Sequence, residues 1–513
     1  MSFISFQFLA LILISSLLYY LFPKKYRYLV LVVANIYFYI SSCKFHSIYL
    51  LISIISVYLF GLIFTHFEAL KSACQLEHDA KKAYKKRIKK QERLALIVTI
   101  AINLGLLLVL KYDNFFGGLI NDIFHSSISL PKFILPLGIS YYTLMAISYV
   151  VDVYNGKYEA SKDFFAVFLY LSFFPLMVEG PIARFNETSS SLKDGHSFNY
   201  QQYCNALLRI TWGFIKKLVI ADRAALFVNQ VFGSNETGLA VIMAIVLYVL
   251  QIYAEFSGAM DIVLGTAKLY GIDLPENFNT PFFSRNIGEF WRRWHITLGT
   301  WLKDYIFYPI SISKTNLKLT INTHKHLKKS LADFISMAFP LLFVWLIMGF
   351  WHGASYKYIL YGIYYYLLML LGLLLKPLTT KIDQILKVNT ACFSYHLYES
   401  LRTFFFVAIG MTIFRADTLS EAFTMFKNIF GPNSANIAKL LNGYANLTII
   451  IVTTIAILII STLKYFNINI FEKLNNQNLI FKYFIYLIAI LFLLIFGQYG
   501  YGYDPSSFIY GGF

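Results

Sequence analysis

The sequence predicts an all-α polytopic membrane protein with roughly 11 transmembrane helices. Of its 513 residues, 58% are hydrophobic and only 14% are charged, whereas a soluble domain carries about 25% charged residues. Apolar runs close to the length that spans a hydrocarbon core of about 30 Å recur along the whole chain. Because backbone groups find no water partner in lipid, continuous runs of this length favour helices over barrel strands.

The predicted spans follow one another closely from the N-terminus. The first has no basic segment before it and no small-residue cleavage site, so we interpret it as a retained span and not as a signal peptide. Residues 113–132 carry Gly, Ser and Asp and are expected to form an external loop with a short interfacial helix. The spans predicted in this half of the chain are 3–22, 28–42, 48–67, 94–110 and 135–154.

The net charge of +17 is concentrated in two basic segments, residues 81–93 and 311–329. Eight of the thirteen residues of the first, "KKAYKKRIKKQER", are Lys or Arg. Basic segments between spans are typical of cytoplasmic loops and can contact anionic lipid, an interpretation we favour over nucleic-acid binding. With a cytoplasmic basic loop at 69–93, the alternation of spans places the N-terminus outside.

The middle of the chain mixes apolar helices with Pro and Gly interruptions, as in "FFPLMVEGPIARF" (173–185) and "LPENFNTPFF" (274–283). Such interruptions are tolerated at membrane depth where the backbone is buried in protein or lines a cavity. Within a single integral-membrane domain, we therefore expect a functional core at 161–430 between N-terminal spans in 1–160 and C-terminal spans in 431–513. Later apolar segments are 239–252, 331–351, 356–375, 398–414, 446–463 and 479–497.

Most motifs of soluble enzymes are missing from the sequence. There is no G-x-S-x-G elbow, P-loop, H-E-x-x-H or G-x-G-x-x-G after a strand, so hydrolase, NTPase and zinc protease classes have no support. His324 and His326 form an H-x-H pair in a Lys-rich segment, and no metal site is predicted there. The four cysteines are far apart, which indicates neither a disulfide framework nor a zinc site.

His295 lies in "EFWRRWHITLGTWLKDYIFYPI", residues 289–310. As one continuous helix, this segment would place Trp291, Trp294 and His295 on a broad face beside a polar stripe. Arg292 and Arg293 would be costly in lipid, so the helix is expected near an interface or a wet cavity.

His352 ends an apolar run and stands in "GFWHGASYKYILYG", residues 349–362. The flanking Gly349 and Gly353 allow close approach of another backbone or of a thin substrate. Histidine accepts or donates a proton near neutral pH, which is what activating a hydroxyl or thiol for acyl transfer requires. The alternative for both histidines is a packed residue that hydrogen-bonds a neighbour.

These segments resemble the membrane-bound O-acyltransferase family, and most closely the bacterial alginate O-acetyltransferase membrane subunits. "FWRRWHITLGTWLKDYIFYPI" is followed about 57 residues later by "MGFWHGASYKYILYG". Supporting stretches are 173–185, 253–295, "FRADTLSEAF" (414–423) and the C-terminal "FIYGGF". Relatives that acetylate alginate typically have a Gly-Gly-Asn-Arg turn where this chain has "YPISISKTN", so the acceptor stays open.

The resemblance implies a ring of membrane helices around a thinned centre, with His352 as the catalytic histidine and His295 in support. We assign substrate binding to a further set of residues on the matched motifs. No cofactor is expected to be bound, and acetyl-CoA or another acyl thioester would be the donor substrate. The substrate-binding residues are Trp351, Trp294, Arg292, Arg293 and Gly353.

The same resemblance implies a bacterial plasma (inner) membrane protein that moves an acetyl group from a cytoplasmic thioester across the membrane. The group then O-acetylates an extracytoplasmic polysaccharide, either directly or through a partner transferase. An extracytoplasmic acetyltransferase partner and membrane lipids are the expected partners, and nucleic acid is not. One alternative is D-alanyl transfer to teichoic acid. Another is a glycan or lipid transporter or flippase, which predicts inverted repeats and paired charges on spanning helices. No repeat stands out in the sequence.

Overall fold

The computed structural model describes residues 3–126, 133–433, 437–441 and 443–499, which form helices joined by short connections. An isolated β-bridge pairs Phe278 with Trp294. By length and composition, eight helical stretches within these ranges can cross a membrane. The prediction of an all-α, multi-pass membrane protein is confirmed, while the number of roughly 11 spans stays a prediction. The C-terminal "FIYGGF" lies outside the described residues.

The chain folds as two compact units, and the division falls inside two helices. The first unit comprises Met1–Ile210 and Val263–Pro275. Its helices are α1 Phe6–Leu21, α2 Arg27–Cys43, α3 Ser47–Ser72, α4 His78–Phe124, α5 Ile139–Tyr154, α6 Phe164–Ser172, α7 Phe185–Lys193 and most of α8 Tyr200–Phe214.

The second unit comprises Thr211–Ile262 and Glu276–Phe513, and it contains every site residue predicted from sequence. The expected division at 160 and 430 stays a prediction. The elements of this unit are the π-helix π1 Ile215–Ala221, α9 Asp222–Phe232, most of α10 Leu239–Leu269, α11 Ile287–Arg293, α12 Ile296–Leu302, the π-helix π2 Lys303–Phe307, α13 Tyr308–Ser311, α14 Lys314–His326, α15 Lys329–His352, α16 Tyr356–Ile385, α17 Phe393–Arg415, α18 Leu419–Asn428, α19 Ile437–Leu440, α20 Tyr444–Tyr465, α21 Ile470–Asn475 and α22 Leu479–Phe496.

Helix α4 corrects two sequence predictions. The basic segment 81–93 is not a loop, because a single helix of 47 residues runs from His78 to Phe124. Lys, Arg, Gln and Ala are strong helix formers, so the basic half continues the apolar half without a break. The predicted external loop at 113–132 is helical as far as residue 124, and residues 127–132 lie outside the described part.

The basic half of α4 is docked against α3 by a buried ion pair. Glu92 is 3% exposed, and its Oε1 lies 2.8 Å from Nζ of Lys71 on α3. A helix rises about 1.5 Å per residue, so α4 is roughly 70 Å long and exceeds the hydrocarbon thickness by about twofold.

The Pro- and Gly-interrupted stretch 173–185 lies inside the first unit. Every residue from Leu169 to Phe185 is buried. Between the end of α6 and the start of α7, the only helical backbone is a short 3₁₀ turn at Phe174–Leu176. Irregular backbone buried in protein is what the sequence predicts for this stretch.

Helices α15 and α16 form a tight hairpin in the second unit. A Cβ added to Gly349 would lie 2.2 Å from the carbonyl oxygen of Tyr358, and one added to Gly362 would lie 2.3 Å from that of Trp345. The two backbones therefore touch at glycines contributed by both helices. This approach fixes where the last turn of α15 lies, and that turn ends at His352.

Gly362→Ala should destabilise this hairpin, because its Cβ has no room beside the Trp345 carbonyl. Overpacking of this kind costs about 1–3 kcal/mol. Gly372→Ala on the same helix is the matched control, since nothing lies within 4 Å of a Cβ there. We expect a lower melting temperature of the detergent-solubilised protein for Gly362→Ala alone; equal melting of both variants would contradict the close contact.

Candidate active site

His352 is enclosed by aromatic rings from three helices. It is 2% exposed and is the last residue of α15. Its ring centroid lies 5.0 Å from that of Trp351, 5.2 Å from Phe414 on α17, and 6.0 Å and 6.4 Å from Tyr361 and Tyr358 on α16. These rings fix the orientation of the imidazole and keep bulk water from it.

The glycines beside His352 serve close packing. A Cβ added to Gly353 would lie 2.4 Å from Cε2 of Tyr358, and Gly349 faces the carbonyl of the same residue. Of the two possibilities left open by sequence, approach of another chain segment is therefore the one seen. A contact of Gly353 with substrate stays a prediction.

The segment around His295 is a helix–turn–helix and not the predicted continuous helix. Helix α11 ends at Arg293, and Trp294 is extended. His295, the N-cap residue before α12, has the left-handed φ of 49°. The cause is a competing pairing with residues 277–279. The Asn279 N–H donates to the Arg293 carbonyl at 2.9 Å, and the Ile296 N–H donates to the Asn277 carbonyl at 3.1 Å.

Asn277 holds this turn from the side and was missed by sequence reasoning. Its side chain is fully buried, and its Oδ1 accepts from the Thr297 N–H at 3.0 Å and from the Thr297 hydroxyl at 2.9 Å. The same oxygen lies 3.4 Å from Nδ1 of His295. The signal in sequence was an asparagine in a Pro-flanked segment, which equally fits an exposed turn.

His295 is 1% exposed, and its ring lies 4.8 Å from that of Phe256 on α10. It lies outside the eight apolar spans. Burial lowers the pKa of His295 to about 3, so the ring is neutral near pH 7. Because an amide oxygen only accepts, contact with Asn277 Oδ1 favours the tautomer with a proton on Nδ1, which makes Nε2 an acceptor.

The indole of Trp351 contacts both histidine rings. Its centroid lies 5.0 Å from His352 and 5.8 Å from His295. Two buried imidazoles therefore meet a shared aromatic surface, although 57 residues separate them in sequence. One can accept a proton while the other orients a hydrogen-bonding group, a combination suited to transfer of an acyl group to a hydroxyl.

The remaining predicted residues lie on or next to α11. Trp294 is packed, 1% exposed, with its ring stacked on Phe290 at 5.4 Å. Arg293 pairs with Glu289 at 2.8 Å, whereas Arg292 is exposed. Of the two arginines, Arg292 is thus the one whose side chain faces outward and can meet a ligand.

Comparison with known proteins places these residues in a family context. A profile of the membrane-bound O-acyltransferase family matches residues 160–412. A probable alginate O-acetylase of Pseudomonas aeruginosa is 32% identical over 358 residues, which are 69% of this chain and 63% of the relative. The match thus spans less than two thirds of that relative.

The names of two further relatives state acceptors other than alginate. A peptidoglycan O-acetyltransferase of Helicobacter pylori is 30% identical over 453 residues, 82% of this chain and 76% of the relative. A teichoic acid D-alanyltransferase of Bacillus subtilis is 30% identical over 240 residues, 45% of this chain and 58% of the relative.

Asn277→Ala should loosen the His295 turn, because it removes the acceptor of the buried Thr297 N–H. Leaving a buried donor unsatisfied costs about 1–3 kcal/mol. Asn279→Ala is the control, since Asn279 is exposed and its backbone pairing is kept. We expect Asn277→Ala alone to lower the melting temperature; a normal value would rule out Asn277 as the support of the turn.

Proposed function

Because the chain belongs to the membrane-bound O-acyltransferase family, we propose that it transfers an acetyl group from a cytoplasmic thioester to a hydroxyl of an extracytoplasmic polysaccharide. The donor in this proposal is acetyl-CoA. The observation that carries the site assignment is the contact of two buried histidine rings, His295 and His352, with the one indole of Trp351.

In the proposed step His352 is the general base. The acceptor oxygen forms a bond to the thioester carbonyl carbon while its proton passes to the imidazole of His352. The tetrahedral intermediate then expels the thiolate, and the proton returns from His352 to sulfur. The products are an acetyl ester and a free thiol, and the imidazole is restored to its neutral form.

His295 acts beside this base as a positioning residue. With Nδ1–H directed at Asn277, Nε2 is a hydrogen-bond acceptor and can bind a neighbouring hydroxyl of the sugar, which leaves the proton of the reacting hydroxyl to His352. An unprotonated nitrogen cannot donate to the thioester carbonyl, so we favour positioning by His295 over polarisation of the donor. Arg292, exposed on α11, is the better candidate of the two arginines for attracting donor phosphates.

The basic segments support one orientation of the protein in the membrane. With residues 78–93 of α4 and the Lys-rich α14 in the cytoplasm, the donor arrives from the inside and the acyl group crosses the membrane. The protein would lie in the bacterial plasma (inner) membrane with its N-terminus outside. The acetyl group would reach the polysaccharide either directly or through an extracytoplasmic acetyltransferase partner.

A second candidate is D-alanyl transfer to teichoic acid, favoured by the match to the Bacillus subtilis enzyme. That match covers 45% of this chain, against 82% for the peptidoglycan O-acetyltransferase. The broader match to a relative named as an O-acetyltransferase supports acetate over D-alanine in this proposal.

His352→Ala should abolish transfer, with a loss of about 10²-fold or more, because no base remains to take the hydroxyl proton. The measurement is acetate released by mild alkali from the cell wall and secreted glycan, at matched protein level in the membrane. His326→Ala, at an exposed histidine of α14, is the control. Loss of alkali-labile D-alanine would select the second candidate, and no change in either ester would exclude His352 as the base.

His295→Asn should lower kcat without moving the acid limb of the pH profile. A ring with a pKa of about 3 is charged only below that pH, so it stays neutral between about pH 5 and 8. Asparagine tolerates the left-handed backbone of this position. Transfer rates measured from pH 5 to 8 test this, and a displaced limb would show that His295 itself titrates there.

A further inference from the structure

Two adjacent lysines are buried in π1, the π-helix 215–221. Lys216 is 5% exposed and Lys217 is fully buried. π-Helical turns are rare and often occur at functional sites. A buried ammonium group is retained only when it is paired, so the partners of these lysines show what the turn holds in place.

Both lysines have partners on α10, a different helix. Lys217 Nζ is 2.9 Å from Glu255 Oε1, and Lys216 Nζ is 2.6 Å from Asp261 Oδ2 and donates to the Ser257 hydroxyl at 2.9 Å. Both carboxylates belong to α10, so the two lysines bind that helix at points six residues apart along the sequence.

The same face of α10 approaches the end of α8 at backbone distance. A Cβ added to Gly258 would lie 2.8 Å from the Gly213 carbonyl oxygen, and one added to Gly213 would lie 2.8 Å from the Ile262 side chain. Glu255, Gly258 and Ile262 are three and then four residues apart, the spacing of one helical face. Ion pairs and close packing together fix the rotation of α10 about its axis and its position along that axis.

The opposite face of α10 holds the His295 turn. Phe256 lies 4.8 Å from the His295 ring, and Tyr253 lies 6.0 Å from the Trp294 ring. The side-chain N–H of Asn277 donates a hydrogen bond to the sulfur of Met260 at 3.3 Å. These three residues have the same three-and-four spacing and form one face of α10. Because the helix rotates as a unit, the residues bound by the lysines determine where this face lies.

We propose that the buried pairs of Lys216 and Lys217 with α10 position His295 for acyl transfer, acting through Phe256 and Met260. Lys217 and Glu255 are then positioning residues, and the inference rests on the proposed function of His295. Buried ion pairs contribute little net stability compared with apolar residues, but they specify register, which is the property needed here.

The chain offers a matched pair of variants at one lysine. Lys217 also pairs with Asp222 at 3.0 Å, and Asp222 follows π1 on the same continuous helix, so this pair lies within one helix. Glu255 and Asp222 are equally buried, at 3% and 4% exposure. Glu255→Gln weakens the link between helices, whereas Asp222→Asn removes a similar buried charge from the same lysine and leaves the α10 carboxylate in place.

The experiment compares both variants with the wild type, reconstituted and supplied with acetyl-CoA. We expect Glu255→Gln to lower kcat about tenfold or more at unchanged KM for acetyl-CoA, and Asp222→Asn to stay within about twofold of wild type. Equal effects of the two variants on kcat would overturn the proposal, because a purely structural pair would not distinguish them.

Hydrogen exchange gives a readout that does not depend on activity. The Ile296 and Thr297 amides donate to Asn277, so we expect faster exchange at residues 294–297 in Glu255→Gln only. If the wild type transfers no acetyl group from acetyl-CoA, the proposed function fails, and exchange still decides the link to α10. Equal exchange in both variants would overturn it.

Phe256→Leu covers the case in which Glu255→Gln does not accumulate in the membrane. It leaves both ion pairs in place and removes the ring that contacts His295. The proposal requires a reduced kcat in this variant as well, and a wild-type kcat would overturn it.

Discussion

Away from water, each polar group of the chain needs a partner within the protein, and the second unit is arranged around that requirement. Carboxylates of α10 are paired by buried lysines of π1, and Asn277 satisfies the Thr297 amide that a break in the helix exposes. Partners of this kind are directional. They select one rotation of α10 and one geometry of the turn where apolar packing alone would tolerate several.

The two histidines reach their common indole by different means. His352 is placed by close backbone packing, since glycines on α15 and α16 bring the helices together and end α15 at the histidine. His295 is placed by hydrogen bonding and by α10, on a turn that departs from regular helix. His352 is thus held by a rigid hairpin, and His295 by a polar network that tolerates little change.

The sequence was sufficient for the helical class and for the neighbourhood of the site. Long continuous apolar runs predict helices because a helix satisfies its backbone hydrogen bonds within the segment, without water. His352 lies at the predicted end of its run. The break at His295 was not predictable, because the segment 289–310 has good helical periodicity and the pairing that breaks it comes from residues 277–279. Lys216 and Lys217 likewise give no local signal of burial, since their partners are about 40 residues away in sequence.

The backbone at His295 has a consequence for how this protein responds to selection. A left-handed residue other than glycine carries a conformational penalty of about 1–2 kcal/mol, which glycine at this position would remove. Glycine would also remove a buried ring that packs on Phe256 and Trp351, and a cavity of that size costs at least about 2 kcal/mol. Selection for stability therefore retains the side chain at position 295 and, with it, the strained backbone.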